Sequence, residues 1–76
     1  MPHIEISLYP GRNEEQKKEC ARKIAEDVAA IMGAKISSVS VAIKDVTPDD
    51  WKSEVWDKKI VGNDDILYKK PGYTCE

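Results

Sequence analysis

Two short runs of alternating apolar residues stand on either side of one long amphipathic stretch, and that order leaves few folds open. Ile4, Ile6 and Leu8 alternate with His3, Glu5, Ser7 and Tyr9, the period-2 pattern of a half-buried strand over residues 3–9. Pro10-Gly11 breaks the pattern. Asn13 then offers an N-cap with Gln16 three residues on, as in a capping box, and Glu14 and Glu15 put negative charge where a helix dipole favours it. Cys20, Ala21, Ile24, Ala25, Val28, Ile31 and Met32 recur at helical spacing, with Lys17, Lys18, Arg22, Lys23, Glu26 and Asp27 filling the remainder. Gly33 suits the left-handed position that ends a helix, so the spacing predicts a helix over 13–32. After a connector at 36–38, Val39, Val41 and Ile43 alternate with Ser40, Ala42 and Lys44, which predicts a second strand over 38–46. Strand, helix and strand make a βαβ unit, with parallel strands, a right-handed crossover and the helix over their apolar face.

The remainder is shorter and less regular. Thr47 caps, Pro48 takes the first helical position and Asp49-Asp50 follow, which predicts a second helix over 48–59. On it Trp51 shares a face with Val55, and Lys52 with Trp56. Gly62-Asn63-Asp64-Asp65 reads as a loop, Ile66-Leu67-Tyr68 fits a short strand or a helical turn equally, Lys69-Lys70-Pro71-Gly72 is a turn, and the last four residues form an arm. The fold class is therefore α/β (α+β): a single βαβ unit plus a short second helix, within one domain spanning 1–76. A chain of this length buries only about 60% of its unfolded surface, and a two-stranded sheet is not stable by itself. Pairing with a second copy, to give a four-stranded sheet with helices on one face, is the expected remedy.

Composition narrows the function. Twelve basic against 14 acidic residues leave a net charge of −2, which carries no footprint for nucleic acid. No apolar run approaches the roughly 20 residues of a membrane span. Nothing resembles a signal peptide, so a reduced cytoplasmic setting is expected. One histidine and two widely separated cysteines argue against a metal site and a disulfide framework. Cys20 is expected to be a small buried apolar residue.

Chemistry concentrates at the head of the chain. A proline after the start methionine is a type that favours methionine removal, which would leave a secondary amine at the tip of the first strand. That nitrogen would be rigidly held by the pyrrolidine ring, basic, and nucleophilic when neutral. Burial and a nearby cation would lower its affinity for a proton. Arg12, just beyond Pro10-Gly11, is a candidate cation and a bidentate carboxylate ligand. Proton transfer between carbon and oxygen needs both kinds of group.

The run Pro2-x-Ile4-x-Ile6, followed by Gly11-Arg12-Asn13-Glu14-Glu15-Gln16-Lys17 and by Ser37-Ser38-Val39-Ser40-Val41-Ala42-Ile43, resembles the 4-oxalocrotonate tautomerase family. The C-terminal Lys69-Lys70-Pro71-Gly72-Tyr73 is similar to the end of a longer, dimeric bacterial branch. The resemblance implies a cofactor-independent isomerase that interconverts keto and enol forms of a small 2-hydroxy-dienoate or enolpyruvate. It implies Pro2 as general base after removal of Met1 and Arg12 as the carboxylate clamp, from its own or a neighbouring subunit. Trp51 falls where the family has an aromatic wall, and it serves equally as a packing anchor. The resemblance also implies homodimers, with hexamers in some members. Two departures stand out. The family's second arginine falls at Ser40, which leaves one hydroxyl at a substrate-binding position and favours a monocarboxylate such as an aryl enolpyruvate. The glycine-rich hairpin of the shorter hexameric members is replaced by the helix after Trp51. The alternatives are a non-enzymatic oligomeric module and a hydratase- or dehalogenase-like activity on the same scaffold. His3 is expected at the surface or an interface.

Overall fold

A computed structural model of the chain describes residues 1–75. They fall into two compact units, Met1–Asp45 and the part from Val46 onward.

The first unit is the βαβ motif. β1 (His3–Leu8) pairs in parallel with β2 (Ser40–Asp45), with His3 opposite Ser40, Ile4 opposite Val41 and Ile6 opposite Ile43. Ile4, Ile6, Leu8, Val41 and Ile43 are half-buried, whereas His3, Glu5, Ser40, Ala42 and Lys44 are exposed. The alternation predicted from period 2 is thus present in both strands.

α1 (Glu14–Met32) joins the strands. Its start is fixed reciprocally: the Gln16 N–H donates to Asn13 Oδ1 at 2.8 Å, and the Asn13 N–H donates to Gln16 Oε1 at 2.9 Å. Its end is the αL conformation of Gly33, φ +70°, which a side chain with a Cβ would strain. α1 lies against β2, and Lys17 Nζ reaches Asp45 Oδ1 at 3.1 Å. Arg22, on the outer face, bonds Glu19 and Glu26. The hydrogen bond to Glu19, more than the two negative charges, raises its already high pKa.

α1 is about 28 Å long against about 20 Å for a six-residue strand, so its last turn overshoots the sheet. Ile31 and Met32, predicted for the apolar face, accordingly stand 81% and 72% exposed. Cys20 is also exposed, which corrects the expectation of a buried thiol. At 100° per residue it lies on the flank of a stripe centred on Ala21, Ile24 and Val28, all half-buried.

The predicted second strand begins two residues late. Ile36–Ser38 winds as one 3₁₀ turn, closed by Val39 N–H donating to Ile36 O and by Ser38 Oγ–H donating to Lys35 O at 2.8 Å. β1 likewise stops at Leu8 rather than 9.

The second unit opens as predicted. Thr47 Oγ1 accepts the Asp50 N–H, and Pro48 starts a one-turn helix, α2 (Pro48–Trp51). The chain then changes its winding: Lys52–Ile60 is a π-helix, ended by a five-residue bond from Val61 N–H to Trp56 O at 2.9 Å. The helical extent matches the predicted 48–59, but the hydrogen-bond spacing does not. Residues 64–66 form a turn, which removes the strand alternative for Ile66-Leu67-Tyr68. Among the described residues the buried apolar side chains are Val46 and Val55. Among the described residues no helix is long and apolar enough to cross a membrane. Of the predicted C-terminal arm, Glu76 lies outside the described residues.

Candidate active site

The head of the sheet is built by the ladder itself. Ser40 N–H donates to Pro2 O at 3.1 Å, which carries the pairing one step past β1 and fixes Pro2 beside the start of β2. Pro2 is half-buried, and Met1 before it is fully exposed. The same register brings His3 and Ser40 onto one face, where His3 Nδ1 and Ser40 Oγ stand 2.6 Å apart. On its other side His3 Nε2 is 3.5 Å from Glu5 Oε1, two residues along the same strand. His3 and Ser40 are therefore a side-chain pair on the exposed face, and Pro2 is tied to Ser40 through the backbone.

Arg12 lies apart from them. It follows β1 at the opposite end, about 20 Å from Pro2 along a strand of this length. There the turn at Gly11, φ +133°, lets the chain double back, and Arg12 Nη1 donates to Tyr9 O at 3.3 Å. A protomer therefore presents its amine position at one end of β1 and its guanidinium at the other.

Trp51 belongs to the second unit. Its indole Nε1–H donates to the Tyr73 hydroxyl at 3.2 Å, and the Trp56 ring lies 5.3 Å from the Tyr73 ring at a tilt of 40°. Two residues five apart, on different sides of an α-helix, reach one partner because the i→i+5 winding brings them to the same side. Sequence reasoning missed two of these features. The His3–Ser40 pair was hidden because period 2 gives the face of each residue but not the register between strands. Tyr73 was hidden because a π segment has no sequence period of its own.

Comparison with known proteins decides the family. The family described as "Tautomerase enzyme" matches residues 2–55. The chain belongs to the tautomerase family. Tautomerase PptA of Enterobacter sp. (strain 638) is 47% identical over 75 residues, covering 97% of this chain and 99% of that one. Tautomerase PptA of Escherichia coli O139:H28 is 36% identical over 75 residues, with the same coverage. Among solved structures, a 4-oxalocrotonate tautomerase isozyme from Methylibium petroleiphilum is 36% identical, covers 66% of this chain and 81% of its own, and superposes with a TM-score of 0.62. A heterohexamer 4-oxalocrotonate tautomerase from Chloroflexus aurantiacus J-10-fl is 33% identical, with coverage of 67% and 82% and a TM-score of 0.64. These relatives support a tautomerase, and so an isomerase, activity for this member of the family.

Proposed function

We propose that the protein is a cofactor-independent tautomerase of a small enolpyruvate or 2-hydroxy-dienoate, with the Pro2 amine as its base once Met1 is removed. The observation that carries this reading is the placement of Pro2: half-buried, tied by its carbonyl to Ser40, and preceded by a fully exposed methionine open to removal. The amine takes a proton from one substrate atom and returns one to another. Partial burial favours its neutral, working form, and the rigid ring fixes its direction.

The distance from Arg12 to Pro2 within a protomer supports a site shared between copies, in which a neighbour's Arg12 grips the substrate carboxylate bidentately. Self-association is supported further by the thin core. No side chain of the βαβ unit is fully buried, and among the described residues the sheet has two strands alone. Pairing as a homodimer through the sheet, with hexamers as the family's other assembly, completes both core and site. Ser40 is assigned as a hydroxyl contact to the substrate. A hydroxyl in place of a second guanidinium favours a monocarboxylate such as an aryl enolpyruvate over a dicarboxylate.

The test is the ultraviolet decay of phenylenolpyruvate with protein whose free Pro2 terminus has been verified by intact mass. Pro2→Ala should lower kcat by about 10²–10⁴-fold, the range of general acid–base catalysis, with an unchanged circular dichroism spectrum. A Pro2→Ala protein as fast as wild type would overturn Pro2 as the base, whereas no conversion by wild-type protein with a verified free Pro2 would favour a different substrate class or the non-enzymatic alternative.

A further inference from the structure

Keto–enol exchange moves two protons, one on carbon and one on oxygen, and the amine accounts for the first alone. The substrate oxygen changes from carbonyl to hydroxyl, and some group must supply or take that proton. Beside Pro2, on the exposed face of the sheet, Ser40 Oγ and His3 Nδ1 form the shortest side-chain contact of the βαβ unit that joins its two strands, at 2.6 Å. Glu5 Oε1 stands 3.5 Å behind the other ring nitrogen. The carboxylate favours a proton on Nε2, which leaves Nδ1 as the acceptor for the Ser40 hydroxyl in neutral His3.

We propose that Ser40 Oγ touches the substrate's keto or enol oxygen and that His3, acting through it, holds the oxygen-side proton. The inference rests on the tautomerase reading of Pro2. In enolisation the neutral Pro2 amine takes the proton from carbon, and the C–H electron pair becomes the C=C bond. The carbonyl π pair moves to oxygen and binds the Ser40 hydroxyl proton. Ser40 Oγ in turn takes the Nδ1 proton of imidazolium His3, whose N–H pair returns to the ring. The products are the enol, a protonated Pro2 and a neutral His3. One proton passed through water from Pro2 to His3 restores the enzyme, and ketonisation is the reverse. A neutral hydroxyl backed by a chargeable ring thereby stands where the family carries a guanidinium. It offers a single oxygen contact, which suits a 2-keto monocarboxylate and gives no purchase on a second carboxylate.

The experiment is the ketonisation of phenylenolpyruvate by Ser40→Ala, His3→Ala, His3→Gln and the Ser40→Ala/His3→Ala double variant. Each protein is verified for a free Pro2 and for an unchanged circular dichroism spectrum. His3 and Ser40 are exposed, so these replacements leave the packing intact. Ser40→Ala and His3→Ala are each expected to lower kcat about a hundredfold with KM within about twofold, and the double variant to be no slower than either single one. His3→Gln is expected to stay slow, because an amide can bond the hydroxyl but cannot carry its proton. Restoration by His3→Gln, losses that multiply in the double variant, or single variants at wild-type kcat while Pro2→Ala is inactive would each overturn the relay and leave the Pro2 reading standing. A Pro2→Ala protein at full rate would overturn both.

Discussion

The two units of this chain are held together by different means. The βαβ unit is regular in its backbone and thinly packed: it has a parallel ladder, a helix capped at both ends, and no fully buried side chain. The unit from Val46 onward is irregular in its backbone yet contains Val46 and Val55, the buried apolar residues among those described, and the aromatic cluster of Trp51, Trp56 and Tyr73. Hydrogen-bond pattern therefore specifies the first unit and side-chain packing the second. A unit specified by backbone pattern can leave its apolar surface to a second copy, whereas one specified by its own side chains must supply its own contacts.

Three substitutions sharpen this contrast. The largest effect is expected in the second unit. Trp56→Ala removes a half-buried ring and its partner contact, and should cost about 2–3 kcal/mol in urea unfolding, below the 3–5 kcal/mol typical of fully buried rings. A cost near zero would mean that the aromatic cluster is not what specifies that unit. In the first unit, Asn13→Ala deletes one half of the capping box and should cost about 1 kcal/mol without moving the tryptophan fluorescence, because Trp51 and Trp56 both lie in the other unit. The smallest effect is expected from Tyr73→Phe. It keeps the ring against Trp56 and loses the hydroxyl that accepts from Trp51, so about 0.5–1 kcal/mol should be lost. The fluorescence of Trp51 should change as its indole N–H is released. A Tyr73→Phe loss as large as that of Trp56→Ala would place the weight on the hydrogen bond rather than on packing.

The same division governs what could be read from the sequence. Ile4, Ile6 and Leu8, the Asn13–Gln16 box and Gly33 each announce a backbone state through a local rule, and each is found in that state. The ends of β2 were harder. Val39 continues the alternation, yet the 3₁₀ turn before it is already closed by its own N–H. Cys20 and Ile31 look apolar-facing by count, but where the stripe meets the sheet depends on helix length against strand length, a tertiary quantity. The π winding after Trp51 was illegible, because a helical pattern of Trp51, Val55 and Trp56 suits either spacing and nothing short of the fold brings Tyr73 to both rings. At the head of the chain, Pro2, Arg12 and Ser40 could be singled out, but not their distribution. Ser40 joins Pro2 through the ladder, while Arg12 is carried to the far end of β1.

That separation is the centre of the proposed site, in which one copy's amine works with another's guanidinium. The most direct test mixes two inactive proteins. Pro2→Ala and Arg12→Ala chains, refolded together at equal concentration, should regain activity on phenylenolpyruvate that neither has alone. For random dimers in which each mixed pair has one intact site, about a quarter of the wild-type rate is expected. Subunit exchange proven by mass spectrometry with no recovered activity would contradict a shared site.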